Sequence, residues 1–181
     1  LSGGEIVVRP MMSSPLASQE NTIIGNTVLY GATAGKLFAA GQAGERFAVR
    51  NSGAMAVVEG CGSNGCEYMT AGMVVILGPV GDNFAAGMTG GMAFVYDPRD
   101  DFAIRVNPDS VVWQAIEPGH WEEACRALIE EHARQTQSRW ADSILRGWEM
   151  EKKYFRQVVP KEMLDRLDYP VSATLEAAES A

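Results

Sequence analysis

The sequence predicts a mainly β protein: a single-stranded β-helix, or solenoid, with a C-terminal α-helical cap. Three observations support this fold class. Glycines recur with steps of 18, 19 and 19 residues, each is followed by a short apolar run, and the glycine-rich pattern gives way to a helical one near residue 115. A fixed period near 20 residues indicates one short unit stacked on itself, since such a unit cannot bury its own apolar face.

The repeat has a consistent register, which we call the structural ladder. One residue before each glycine is small, and two residues before it is a short hydrogen-bonding side chain. The ladder consists of Gly35, Gly53, Gly72 and Gly91, with Thr33, Asn51, Thr70 and Thr89 before them. Glycine permits a positive φ or the close approach of neighbouring coils. We also expect the stacked Thr and Asn side chains to share hydrogen bonds along the axis.

The apolar runs after the ladder glycines read as short strands, because four or five apolar residues bounded by glycine are typical of strands. About 19 residues per period leave no room for a helix and a returning strand, but they suffice for one β-helix coil. A β-sandwich with glycine turns is the alternative. The residue-by-residue register favours the solenoid.

Composition divides the chain into three parts. Fifteen of the 19 glycines lie between Gly25 and Gly91. We assign the glycine-rich coils to 1–115, a helical cap to 116–168 and a frayed tail to 169–181. Residues 11–19 read as a loop interrupting the first coils.

Within the cap, the apolar spacing from His120 onward follows a helical period. A second helix is expected over 138–155 and a third, with Pro160 at its first position, over 160–167. We expect these helices to cover one open end of the stack.

The charge pattern argues against nucleic acid as a partner. The net charge is −8, and neither half of the chain carries a basic stripe. No apolar run approaches the roughly 18 residues of a membrane span. Three cysteines leave one unpaired if a disulfide forms, which suits a reducing cytoplasm. The first residues, starting at Leu1, read as if taken from a longer chain.

Two glycine motifs suggest phosphate or dinucleotide binding, and we reject both. Residues 60–65 spell G-x-G-x-x-G, but the next residues belong to the following coil rather than to the helix that a dinucleotide site needs. Residues 31–36 resemble a phosphate loop, but they are one residue short of the motif, and Leu37 stands where Ser or Thr would hold magnesium.

The remaining candidate residues also lack the companions that chemistry requires. Cys61 and Cys66 have no second pair or nearby histidine for a metal. His120 and His132 fit packed helical positions better than catalytic ones. Glu67 and Asp82 fit solvated corners of the coils. Asn51, Asn64 and Asn83 fit turns, where Asn tolerates a left-handed conformation. We therefore expect no catalytic, cofactor-binding or metal-binding residue.

Several stretches together resemble the C-terminal domain of the glutamate synthase large subunit, a domain named for a G-x2-G-x3-G repeat. The resemblance extends from Gly3 to about Leu167. Its most specific parts are residues 25–35, 44–54, 65–70 and 83–91, the His132-x3-Thr136-x-Ser138 run and residues 155–160. The third glycine of the motif is replaced by Ala48, Met69 and Ala85.

This resemblance implies a right-handed β-helix with a helical cap and no catalytic residue of its own. The family enzyme makes L-glutamate from L-glutamine, 2-oxoglutarate and a reduced donor. Its amidotransferase domain, its FMN- and iron–sulfur-containing synthase domain and its FAD-containing small subunit would be the partners of this domain. The resemblance thus implies a structural spacer for a cytoplasmic enzyme, without nucleic acid or membrane as partners. The donor stays open among NADPH, NADH and ferredoxin.

Two other readings stay open as alternatives. A subunit of formylmethanofuran dehydrogenase has a similar glycine-rich β-helix, but the helical tail favours glutamate synthase. A hexapeptide-repeat acyltransferase would need an apolar residue at every sixth position and a histidine on the coils, and both are absent from residues 1–115.

Overall fold

The computed structural model describes residues 1–172. Within them the strands are β1 (Ser2–Val8), β2 (Thr22–Ile24), β3 (Ala34–Ala39), β4 (Gln42–Ala43), β5 (Ser52–Val58), β6 (Ala71–Ile76), β7 (Met92–Tyr96), β8 (Val111–Ala115) and β9 (Phe155–Pro160). The α-helices are α1 (His120–Thr136), α2 (Arg139–Arg146) and α3 (Trp148–Glu151). The chain is mostly β, as predicted.

The main sheet has seven strands in the order β1-β3-β5-β6-β7-β9-β8. Strands β1, β3, β5, β6 and β7 pair in parallel, each with the equivalent strand of the next coil. Phe38, Val57, Val75 and Phe94 occupy one aligned position in this stack. The second side of each coil is shorter, with β2 paired to β4 and single bridges joining Ala43, Cys61 and Val80. This is the predicted solenoid.

The corner between these sides has an unusual backbone. In each coil, three residues spaced two apart have positive φ: Thr27, Leu29 and Gly31; Arg46, Ala48 and Arg50; Asn64, Cys66 and Tyr68; Asn83, Ala85 and Gly87. Non-glycine residues rarely adopt this conformation. Hydrogen bonds between coils offset the strain: Arg46 N donates to Ser63 O at 2.8 Å and Ala48 N to Val28 O at 2.9 Å.

Two apolar cores lie on the two faces of the sheet. The inner core fills the coils and contains large side chains such as Phe47, Met69 and Phe84. The outer core lies between the sheet and the helices, and it contains Phe94, Ile129 and Trp148. The sheet is therefore buried on both faces, which explains its continuous apolar runs.

The helices lie elsewhere than expected. Helix α1 contacts β1, β3, β5 and β6, so it crosses the outer face of the sheet and does not cover an open end of the coils. The edge of β7 is covered by β9, which pairs antiparallel with both β7 and β8. A paired strand satisfies the backbone groups of that edge directly.

Two predicted helices are wrong in extent or type. The helix expected over 138–155 is divided at Gly147 into α2 and α3, with a 3-10 turn over Lys152–Tyr154. The helix expected over 160–167 is replaced by the end of β9 and one 3-10 turn over Lys161–Met163. The division of the chain near residue 115 stays a prediction. Strand β9 belongs to the predicted cap by sequence, but it returns to the sheet of the coils.

The loop and the tail contact the rest of the chain. The loop predicted over residues 11–19 is found over 9–17, and Ser18–Glu20 form a 3-10 turn at its end. Tyr169 stacks on His120 with ring centroids 3.6 Å apart, and Ser172 N donates to Glu117 Oε2 at 2.7 Å. The other residues of the predicted frayed tail, 173–181, lie outside the described residues.

Candidate functional site

A buried carboxylate interrupts the apolar outer face of the sheet. Glu59 directly follows β5, and its side chain is fully buried. By the strand register, the equivalent positions in the other coils are Arg9, Ala40, Leu77 and Tyr96. Glu59 is therefore the only acidic member of its column. A buried carboxylate requires hydrogen-bond donors or a counter-charge.

Three side chains supply those donors to Glu59. Ser18 Oγ donates to Oε2 at 2.5 Å, Ser138 Oγ donates to Oε1, and His132 Nε2 lies 3.1 Å from Oε1. Ser18 comes from the loop, and the other two come from the helices. We call these four residues the Glu59 network. It joins the loop, the coils and the helical region at one buried point.

The helical members of the network are positioned by local hydrogen bonds. Thr136 Oγ1 donates to the carbonyl of His132 at 2.7 Å and accepts from Ser138 N at 3.2 Å. Ser138 is the N-cap of α2, where Oγ accepts from Ala141 N at 3.1 Å. Gln137 ends α1 with a left-handed φ of 56°. The His-x3-Thr-x-Ser spacing thus turns the chain from α1 into α2 while directing two side chains at Glu59.

The geometry does not form a nucleophile–base–orienter set. Such a set needs a serine hydroxyl bonded to the histidine ring, with the carboxylate on the far ring nitrogen. Here both hydroxyls donate to Glu59, and among the described residues Nδ1 of His132 has no hydrogen-bond partner. His132 is packed, as predicted, although only one ring nitrogen is satisfied. The arrangement anchors chain segments.

A cavity of about 400 Å³ lies beside the Glu59 network, with Ser18 and Ser138 in its wall. Its other lining residues come from the loop, from the end of α1, from the start of α2 and from Ala40 after β3. A second cavity of about 460 Å³ lies on the other side of Trp140, whose indole donates to Leu77 O at 2.6 Å.

The ladder glycines lie where successive coils approach closely. A Cβ on Gly53 would lie 2.3 Å from Thr33 O, and one on Gly72 would lie 2.3 Å from Ala54 O. Gly35, Gly72 and Gly91 also have φ values of 98°, 95° and 78°. A larger residue would therefore meet both backbone strain and a neighbouring backbone.

Contrary to expectation, the polar side chains of the structural ladder do not hydrogen-bond to one another. Asn51 is buried and closes a bulge in its own coil, donating to Ala54 O and accepting from Ala54 N, both at 2.9 Å. Thr33 and Thr70 are exposed and Thr89 is partly exposed. The coils are joined by the backbone, for example from Thr70 N to Asn51 O at 2.9 Å.

A side-chain ladder does exist at the corner. Asn83 donates to Asn64 Oδ1 at 3.1 Å and accepts from Asn107 Nδ2 at 2.9 Å. Asn64 and Asn83 have φ values of 62° and 60°, so two of the three expected left-handed asparagines are found there, whereas Asn51 does not have a positive φ. Sequence reasoning missed their contact, although their spacing of 19 residues equals the period.

The buried Glu59 was also missed, and the sequence contained a signal for it. Aligning the apolar runs by their period places this carboxylate opposite Leu77, in a column where burial is expected. His132 and Ser138 were noted only as parts of a pattern. Their contact with Glu59 spans 73 and 79 residues of sequence, which no local pattern predicts.

The cysteines are unsuited to nucleophilic chemistry. Burial raises the pKa of the Cys61 thiol to about 12, with a backbone hydrogen bond from Gly81 offsetting part of the effect. Burial and the neighbouring Cys61 raise the pKa of Cys66 well above its ordinary value. Cys125 also has a raised pKa, through burial and then Glu122. A reactive cysteine needs the opposite shift.

Neither a metal cluster nor a membrane helix emerges from residues 1–172. No group of three or more His, Cys, Asp or Glu side chains in this part of the chain is arranged to hold a metal ion. Of the helices formed within it, none has the length and apolar character needed to cross a bilayer.

The repeated coils and their glycine register define the class of protein. The family model described as the GXGXG motif matches residues 1–161, and the chain belongs to this family. The resemblance to the C-terminal domain of the glutamate synthase large subunit is confirmed by its relatives.

One relative is the glutamate synthase [NADPH] large chain of Azospirillum brasilense, 70% identical over 94% of this chain and 11% of the relative. Glutamate synthase [NADH] of Schizosaccharomyces pombe is 51% identical over 90% of this chain and 8% of the relative. Ferredoxin-dependent glutamate synthase 2 of Synechocystis is 47% identical over 88% of this chain and 10% of the relative. The chain therefore spans about a tenth of the length of these relatives.

Proposed function

We propose that this chain is a structural domain of a glutamate synthase and that it catalyses no reaction alone. In this proposal the intact enzyme makes L-glutamate from L-glutamine, 2-oxoglutarate and a reduced donor. The observation that carries the proposal is the match of 94% of the chain to part of a glutamate synthase large chain at 70% identity. The formylmethanofuran dehydrogenase alternative gains no support from these glutamate synthase relatives.

The spacer role is supported by how the coils are joined. Parallel pairing continues from β1 to β7, and hydrogen bonds also join successive corners. A solenoid joined on several sides resists bending, because each coil contacts the next along its perimeter. We propose that this stiffness holds an amidotransferase domain and a synthase domain of the same polypeptide at a fixed separation.

We place the cofactors of the enzyme outside this chain. FMN and an iron–sulfur cluster would lie in the rest of the large subunit, and FAD in a small subunit. The described cysteines do not fit an iron–sulfur cluster, since Cys61 and Cys66 lie in the inner core and Cys125 in the outer core. Three free thiols are consistent with the cytoplasmic location that we propose.

A ladder glycine provides the test. In the full-length enzyme, Gly72→Val places a side chain against Ala54 O at a φ of 95°. We expect the free energy of unfolding to fall by about 1–3 kcal/mol or more, and the yield of assembled enzyme to be lower. The enzyme that does assemble should retain both half-reactions.

The matched control is Gly25→Val, because a Cβ there meets nothing within 4 Å. Yield, thermal stability, glutaminase activity and glutamate formation would be measured for both variants. A Gly72→Val enzyme of normal stability with selective loss of glutaminase activity would refute the spacer role.

A further inference from the structure

Residues 10–19 cover most of the loop over 9–17 and the start of the 3-10 turn, and this segment, called the loop 10–19, is an insertion that exposes apolar side chains. Residues 9–21 separate β1 from β2, whereas only Ala40 and Gly41 separate the equivalent strands β3 and β4. The loop contains no charged residue. Met11, Met12 and Leu16 are 80%, 55% and 63% exposed. Such a grouping on one segment is typical of a surface that contacts a partner.

Hydrogen bonds hold this loop in a defined conformation. Ser18 is bonded to buried Glu59, and Gln42 Nε2 donates to Gln19 O at 2.7 Å. At the other end, Arg9 donates to the Gln137 side chain at 3.1 Å. A held loop loses little conformational entropy when it binds, which favours a preformed interface.

The loop also forms one wall of the 400 Å³ cavity, opposite residues 136–140. Methionine, proline and leucine side chains of the loop lie near hydroxyl and amide groups from Thr136, Gln137 and Ser138. The cavity thus suits an apolar side chain entering from a partner segment.

We propose that the loop 10–19 and its cavity are the docking surface for another domain of the same polypeptide. This inference rests on the proposed function. The chain matches 11% of its Azospirillum relative, so most of that relative lies outside the match and is covalently linked to it.

The size of the patch favours a linked partner. The side chains of Met11, Met12 and Leu16 together expose an apolar surface on the order of a few hundred Å². Separate proteins that associate stably bury about 1,200–2,000 Å². A linked domain needs less, because the linkage supplies a high effective concentration.

Thiol labelling in the full-length enzyme tests the inference. Met12→Cys introduces a thiol on the loop, and the control Ile104→Cys introduces one at an exposed position distant from the loop in sequence. The rates of alkylation of the two positions would be measured by mass spectrometry of their peptides. We expect position 12 to react at least about tenfold more slowly than position 104. Equal rates would overturn the docking surface.

Photo-crosslinking identifies the occupant. A benzophenone amino acid at position 16 would be activated in a mixture of isotope-labelled and unlabelled enzyme. We expect crosslinks within one copy, to residues outside this 181-residue sequence. Mixed-isotope crosslinks, crosslinks to another protein, crosslinks confined to this sequence or no crosslinks would each overturn the proposal.

The two proposals fail in different ways. The docking surface alone is refuted if position 12 is alkylated as fast as position 104 in an enzyme that makes glutamate and loses stability with Gly72→Val. Absence of glutamate synthase activity in the unmodified full-length protein refutes the proposed function, whatever the labelling rates.

Discussion

The carboxylate of Glu59 lies in an environment that is hostile to an unpaired charge. It is fully buried between the sheet and the helices, where an ionised group without partners would be strongly unfavourable. Two hydroxyls and an imidazole surround it. These donors come from distant segments. The hydrogen bonds that compensate the burial of Glu59 therefore also fix the positions of a loop and two helices.

Removing this carboxylate should therefore destabilise the chain strongly. Glu59→Ala leaves the buried His132 and Ser138 and the partly buried Ser18 without an acceptor, and we expect a loss of about 3–5 kcal/mol in the free energy of unfolding. Glu59→Gln keeps one acceptor oxygen and should lose less. Urea denaturation of the purified chain measures both.

The control for this prediction is Glu67→Gln at a coil corner. Glu67 has only a 3.5 Å contact with Asn83, so we expect a change within about 0.5 kcal/mol. If Glu59→Ala behaves like this control, the network has no anchoring role.

Individual residues also show why part of the backbone escaped prediction. A left-handed conformation is predicted at Asn51, Asn64 and Asn83 because asparagine tolerates it, and only Asn64 and Asn83 adopt it. Arg46, Ala48 and Tyr68 have equally positive φ values, without a preference of their own. Their conformation is stabilised by hydrogen bonds from adjacent coils, which exist only in the folded stack.

Among the elements, α1 and α3 are fastened by one carboxylate. Glu122 Oε1 accepts hydrogen bonds from Trp148 Nε1 and Lys152 Nζ, both at 3.1 Å. Burial acts to raise the pKa of Glu122, but these hydrogen bonds and the charges of Lys152 and Arg126 outweigh it. The pKa consequently lies below its ordinary value.

This shift predicts a pH-dependent stability. A carboxylate with a lowered folded-state pKa stabilises the fold above its unfolded pKa of about 4.3, and that stability is lost as the pH falls through the folded value. Glu122→Gln should lower Tm by about 2–4 °C at pH 7. The difference from the unmodified chain should shrink as the pH falls below about 4.3 and should vanish below the folded-state pKa of Glu122.

Thermal unfolding from pH 3 to pH 8 measures this difference. Glu123→Gln is the matched control, since Glu123 is the exposed neighbour in the same helical turn. A Glu122→Gln effect that is constant with pH would show that the carboxylate charge contributes nothing.

The strand β9 shows how an element can depend on its neighbours. Its sequence, Phe-Arg-Gln-Val-Val-Pro, follows a predicted helix and precedes a helix-like segment. In the structure it pairs with β7 and β8, and Val158 and Val159 enter the inner and outer cores respectively. An open sheet edge and two apolar cores select a strand here, where local sequence does not.

The whole molecule is asymmetric along its stack of coils. The edge of β7 is covered by β9, whereas β1 is an edge strand with nearly every residue exposed. Ile6 and Val7 on this strand are 41% and 39% exposed. An exposed edge with apolar side chains is a template for pairing with another chain.

The isolated 181-residue chain should therefore associate in a concentration-dependent manner. A charge on the edge opposes such pairing, so Ile6→Lys should shift the population toward monomer. Light scattering after size exclusion measures the mass across the micromolar range. Ile104→Lys, at an exposed residue outside the sheet, should leave the association unchanged. A monomeric unmodified chain at every concentration would contradict this prediction.

The sequence alone determined the solenoid, because its glycines and apolar runs recur with a fixed period. A residue class that recurs every 18 or 19 positions identifies stacked coils before any contact is known, and the apolar runs locate the strands β3, β5, β6 and β7. The ladder glycines follow from the same period. The resemblance to the C-terminal domain of the glutamate synthase large subunit was likewise readable from the stretches that carry it.

Only the tertiary structure decided the features that depend on contacts between distant segments. The Glu59 network, the strand character of β9 and the course of α1 across the sheet each join residues far apart in the chain. The helices do not repeat, so no period constrains their placement. Their positions follow from which apolar faces and which buried polar groups the folded coils leave unsatisfied.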